Sequence, residues 1–235
     1  MKKLSILLLV GVLLGACSAW AAITGSTDPT QFDDPVVWCA NFTCDSVPAQ
    51  QYGTPQAWTS VGGKTGLVGL VSSQNMEMRQ QGLTWNGNFA ANEGIIYNGV
   101  LDGNNPGGIL VSLDAAQFGV GAFIQDNYFL PFNATISLYD AAFNLLGTFS
   151  APGISDTNVG TALFIGGYDS IADVSYALFD VNDGINPEDF AIGTLKLQTT
   201  QVSSIPEPGT LMLLGPSALG LYGILRRRVG RKEVA

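Results

Sequence analysis

The chain has 235 residues, with ten lysines and arginines against nineteen aspartates and glutamates, no histidine, three cysteines and 29 glycines. Without histidine, the Ser-His-Asp and Cys-His nucleophile systems and the histidine-bearing zinc hydrolase motifs are excluded. Residues 22–203 hold only Lys64, Arg79 and Lys196 against seventeen acids, a net charge of −14, which repels phosphate backbones and excludes DNA or RNA as a partner.

In chain order, the first element is a targeting segment. Lys2 and Lys3 form a positive start, residues 4–14 are a short apolar run, and Ala19-Trp20-Ala21 supplies the small-x-small pattern of a signal peptidase site. Residues 1–21 are therefore expected to be a signal peptide and the chain to be exported. A second cleavage reading stands beside this one: Leu14-Gly15-Ala16-Cys17 resembles a lipoprotein box, in which Cys17 would carry lipid and Ser18 would follow.

Residues 22–203 suffice for one domain with a substantial core. Cys39 and Cys44 lie in a C-x4-C spacing; an exported chain meets an oxidising compartment, so a disulfide is expected, with two free thiols as the alternative. Zinc is a poor fit, because four ligands are needed and nothing nearby completes the set. Short apolar runs separated by Gly, Asn, Asp and Pro predict an all-β sandwich, with no long helical periodicity and no repeat of fixed period. Ala134, Ile136 and Leu138 alternate with Thr135, Ser137 and Tyr139, the pattern of a half-buried strand. Residues 174–179 alternate less cleanly. Further strands are expected over 67–71, 94–97, 109–113, 119–124, 145–150, 162–165 and 190–197.

Chemistry is thin along this stretch. Gly62-Gly63-Lys64-Thr65 lacks the earlier glycine of a phosphate-binding loop, since position 58 is Trp58, and reads as a turn entering a strand. A pair of carboxylates alone can hydrolyse a glycoside, but seventeen acids leave the pair unassigned. Asp180-Val181-Asn182-Asp183-Gly184 resembles the start of a calcium loop, one residue short before the glycine and with Ala191 where a bidentate Glu belongs, so it is not an EF-hand. Asp180, Asp183, Glu188 and Asp189 still form a candidate calcium cluster, against the alternative of a solvated acidic turn. Among Trp38, Trp58, Trp85, Tyr52 and Tyr97, Trp85 is the candidate glycan-stacking ring, because Thr84, Asn86, Gly87 and Asn88 place it near a polar loop.

The last segment, residues 204–235, has three parts. Pro206-Glu207-Pro208 breaks regular structure. Residues 211–225 carry no charge; as a helix they rise roughly 22 Å against a hydrocarbon core of about 30 Å, so Gly209, Thr210 and snorkelling arginines make up the difference. Arg226, Arg227 and Arg228, with Arg231 and Lys232, form a basic stop held on the cytoplasmic side. Triplet, apolar run and arginines in this order resemble the PEP-CTERM sorting signal of exported bacterial proteins. The resemblance implies handling by an exosortase, a membrane cysteine peptidase that cuts near the triplet, and an association with extracellular polysaccharide and biofilm. Residues 163–197 also resemble the closing strands of the jelly-roll domains of many such proteins, which look like carbohydrate-binding modules; there, a first strand near residues 32–38 pairs beside the last. The expectation is a non-enzymatic cell-surface or matrix protein: a signal peptide, a jelly-roll-like β-sandwich over 22–203 and a transmembrane sorting signal. Its rivals are a calcium-dependent glycan-binding module and a carboxylate-dependent glycoside hydrolase.

Overall fold

The computed structural model describes residues 23–53, 55–72, 74–99, 107–182 and 189–201. Two antiparallel sheets pack face to face. The first holds β1 (Thr24–Ser26), β2 (Asp34–Val36), β3 (Gln50–Tyr52), β6 (Met76–Gln80), β7 (Gly94–Tyr97), β9 (Gly119–Asp126), β12 (Leu163–Tyr168) and β14 (Phe190–Gln198). The second holds β4 (Gln56–Thr59), β5 (Thr65–Leu70), β8 (Ile109–Gln117), β10 (Pro131–Tyr139), β11 (Leu145–Ile154) and β13 (Val174–Asn182). One helical turn, α1 (Trp38–Asn41), and a 3-10 turn at Pro29–Gln31 complete the described elements.

The first sheet runs β1-β12-β9-β14-β7-β6-β3, and the second runs β11-β10-β13-β8-β5-β4. Alternation sets what each strand buries. In β10, Phe132, Ala134, Ile136 and Leu138 enter the core, as do Ile109, Val111 and Leu113 of β8 and Ala177, Phe179 and Val181 of β13. Facing them are Val120, Ala122 and Ile124 of β9, Ile192, Leu195 and Leu197 of β14, and Met76 and Met78 of β6. Full burial of each large aliphatic side chain contributes about 1.5–3 kcal/mol.

The last strand is shared. Its first half pairs with β7 through Ala191 and Ile192, and its second half pairs with β2 through Leu195, Lys196 and Leu197, so the strand near residues 32–38 does lie beside the last one. The change of partner falls where β14 also shifts register against β9, between Ile192 and Leu195. Two side chains satisfy the backbone freed there. The buried Trp38 indole donates to Gly193 O at 2.6 Å, and Glu93 Oε1 accepts from Thr194 N at 2.6 Å and Thr194 Oγ1 at 2.7 Å.

The residues 62–65 do form a turn entering a strand: Gly63 adopts φ 81°, open to glycine without a Cβ penalty, and β5 follows from Thr65. Buried Asp34 holds that turn, accepting from Gly62 N at 2.7 Å and Ser60 Oγ at 2.6 Å. Cys39 and Cys44 are joined by a disulfide, with Cα atoms 5.3 Å apart. Among the described residues no helix is long and apolar enough to cross a membrane; residues 1–22 and 202–235, where the signal peptide, Cys17 and the expected span fall, lie outside them.

Candidate functional site

Both faces of the first sheet are covered. Opposite the core, Ile95 and Tyr97 of β7 and Ala191 of β14 meet Trp85 and Phe89, with Phe123 and Ala162 packed alongside. That second apolar layer corrects the expectation for Trp85. Its ring is 6% exposed, stands 5.2 Å from the Tyr97 ring, and its Nε1 donates to Gln125 Oε1 at 3.2 Å. A ring so covered offers no face to a sugar. Of the polar neighbours that suggest a surface loop, Asn86 is exposed and Thr84 half-buried, but Gly87 and Asn88 are buried: Asn88, 1% exposed, donates to Thr161 Oγ1 at 2.7 Å, and its backbone N–H donates to Gln125 Oε1 at 2.7 Å.

Arg79 lies over this layer, 3.9 Å from the Tyr97 ring centroid and 5.6 Å from that of Trp85, and pairs with Glu77 at 2.7 Å. The Tyr97 hydroxyl donates to Asp189. Burial, first, and then the Asp189 carboxylate hold that hydroxyl protonated well above the ordinary tyrosine range. Asp189 also accepts from Asn127 Nδ2 at 2.9 Å.

Asp180 and Asp189, the two described members of the candidate calcium cluster, do not come together. Asp180 stands between Phe179 and Val181, both in the core, so alternation points it out of the second sheet. Asp189 belongs to the outer layer of the first sheet through Tyr97. Two sheets separate them, which is about 10 Å in such packing, and one ion cannot bind both. Asp183 and Glu188 lie outside the described residues. Among the described residues no group of three or more His, Cys, Asp or Glu is placed to hold a metal ion. Burial raises the Asp180 carboxyl above its ordinary value, offset in part by a hydrogen bond from Val181 N.

A cavity of about 450 Å³ opens beside the disulfide, lined by Trp38, Cys39, Glu93, Phe123, Thr194 and Lys196 among others. Its volume suits a small ligand. Glu93, its carboxylate, is engaged at both oxygens, since Oε2 also accepts from Ala90 N at 2.9 Å. The two free acids that glycoside hydrolysis needs are not furnished there.

The second sheet differs: among the described residues no second apolar layer covers its outer face. Phe143, 52% exposed, sits in the turn after β10 with its ring centroid 4.3 Å from that of Tyr176 and 5.3 Å from that of Tyr139. Its φ is 64°, the left-handed region that a bulky residue occupies at a cost of about 1–3 kcal/mol. Asp140 holds the turn: it accepts from Asn144 Nδ2 and Ala142 N at 2.8 Å and from Asn144 N at 2.9 Å, and those bonds, Asn144's side chain first, keep its carboxyl below the ordinary range. Beside Tyr176 is an apolar hollow of about 280 Å³, lined by Pro55, Leu67, Gly69, Leu70, Leu110 and Ser112. Sequence reasoning passed over Phe143. The signal it carried was an aromatic residue inside a polar turn, Asp140-Ala141-Ala142-Phe143-Asn144, where glycine or asparagine would fit without strain.

The sorting residues Pro206, Glu207 and Pro208 and the basic Arg226, Arg227 and Arg228 lie outside the described residues. No family model matches the chain, and no curated protein matches it. Among solved structures, a DUF4465 family protein from Bacteroides caccae is similar at 13% identity and a TM-score of 0.39, over 70% of this chain and 99% of that one. A likeness this distant implies neither ligand nor activity.

Proposed function

We propose that the chain is an exported, non-enzymatic surface or matrix protein associated with extracellular polysaccharide, delivered as a membrane-held precursor and released by an exosortase-type peptidase at Pro206-Glu207-Pro208. The observation that carries this reading is the fixed order of proline triplet, uncharged run 211–225 and arginine cluster, beginning shortly after β14 ends the sandwich at Gln198. An acidic two-sheet domain closed by a disulfide supports it, as a domain suited to an oxidising exterior. The jelly-roll likeness remains part of the proposal.

Release needs cutting. Returning Leu211, Leu213, Leu214, Leu219, Leu221, Ile224 and Leu225 to water costs on the order of 1.5–3 kcal/mol per side chain, so the segment does not leave a bilayer unaided. The two prolines hold Glu207 in an extended segment that a peptidase cleft binds as a strand. Glu207 is the one charge there for pairing with a basic group on the enzyme. Glu207→Ala therefore leaves uncut protein in the membrane fraction, whereas Glu233→Ala does not; equal release of both variants would remove Glu207 from recognition.

A further inference from the structure

We propose that the outer face of the second sheet binds a neutral polysaccharide chain, with Phe143 as its stacking ring, seated on Tyr139 and Tyr176. The inference rests on the polysaccharide-associated reading above but not on cleavage of the C-terminal signal. Cross-strand registers lay out two adjoining rows on this face. One runs Leu145, Tyr139, Tyr176, Ser112, Leu67, Ala57 across all six strands. The other runs Thr148, Ser137, Leu178, Leu110, Gly69. Five strand spacings make the platform about 24 Å wide, long enough for an extended polymer.

Its chemistry selects the occupant. Neither row carries a charge, and the six strands contain no lysine or arginine. The nearest acids are Asp140 in the turn, Asp180 in the row beyond Leu178, and exposed Asp114, two residues past Ser112 on the same face of β8, within a domain of net charge −14. An anionic polymer is repelled. Rings interleaved with hydroxyls suit a polyhydroxylated chain: ring faces take the apolar faces of sugars. Ser137 and Thr148 hydroxyls, 2.9 Å apart, and the Ser112 hydroxyl, which accepts from Leu67 N at 3.2 Å, retain donor or acceptor capacity for sugar hydroxyls. The strained backbone points the same way. Asp140 fixes Phe143 in a conformation that glycine would occupy freely, and the result is a half-exposed ring held over the platform.

The test is affinity gel electrophoresis of the full chain in mild detergent through hydroxyethylcellulose, xyloglucan and galactomannan, with alginate as the anionic polymer. Wild type is retarded in at least one neutral gel and not in alginate. Phe143→Gly removes the ring while relieving the backbone, so it weakens retardation at least fivefold with an unchanged or raised Tm; Phe129→Ala, an exposed ring on another turn, retains it. Retardation in no neutral gel, retardation in alginate alone, or retardation indifferent to Phe143→Gly overturns the proposal. So does a dimer by light scattering that Phe143→Gly dissociates without any glycan effect, which assigns the face to a second copy. Glycan binding by a chain that stays uncut at the cell surface would leave the platform standing and remove the sorting reading.

Discussion

Trp38 and Trp58 give a paired test of how the sandwich is locked. Both rings are buried, at 0% and 2% exposure, but their indole nitrogens differ. Trp38 Nε1 donates to Gly193 O at the β14 irregularity, whereas Trp58 Nε1 meets no acceptor among the described residues. Substitution by phenylalanine removes a similar ring volume at each site. At Trp38 it also strands a buried carbonyl, costing about 1–3 kcal/mol; at Trp58 it removes an unsatisfied donor and recovers a similar amount. Trp38→Phe should therefore be less stable than Trp58→Phe by about 2–6 kcal/mol. For a domain of this size that is roughly 4–24 °C in Tm. Urea unfolding with a shifted midpoint and an unchanged m-value measures the difference. Equal losses, or a larger loss at Trp58, would refute the assignment of Trp38 as the lock on the last strand.

Three further outcomes follow from named residues. Reducing Cys39–Cys44 opens a small loop, so the loss stays below the roughly 3 kcal/mol of a fifteen-residue loop; complete thiol labelling of the native exported protein would show that no bridge forms. A carboxyl raised in the fold, as burial raises Asp180, binds its proton more tightly there than in the unfolded chain. Its charge therefore weakens the fold above that raised value, and the penalty is relieved as pH falls through it. Asp180→Asn keeps an acceptor for Val181 N and removes the charge, so Tm rises at pH 7 and the gain vanishes in acid; a lower Tm at pH 7 would contradict this. Because Asp180 and Asp189 face opposite sides of the sandwich, Asp180→Asn leaves any Tm difference between chelator and millimolar calcium unchanged, and loss of such a difference would bring the two acids back together.

Strands with a long alternation or an unbroken apolar run such as Ile95-Ile96-Tyr97 were legible in the sequence. β7 matches its predicted bounds at Gly94–Tyr97, and 134–139 lies within the longer β10. Those missed had too little pattern to read. β1 and β3 have three residues each and β4 has four. β6 places Glu77 and Arg79 against the outer layer, so Met76 and Met78 are its only apolar signal. Trp85 shows why local polarity misled: Asn88 and Gln125 are hydrogen-bond partners in a buried network, and only the tertiary fold satisfies them. The acids 180–189 are adjacent in sequence but straddle the crossing from β13 in one sheet to β14 in the other, which no spacing rule reveals. Phe143 escaped because φ is set by the Asp140 bonds and not by a glycine.

Intact-mass analysis of the protein recovered from the cell surface tests the central claim. The account predicts a chain that begins near Ala22, retains the Cys39–Cys44 bridge and ends at or near Pro206-Glu207-Pro208. A surface form whose mass still includes Arg226 to Ala235 would make the segment a permanent anchor and contradict release by cutting.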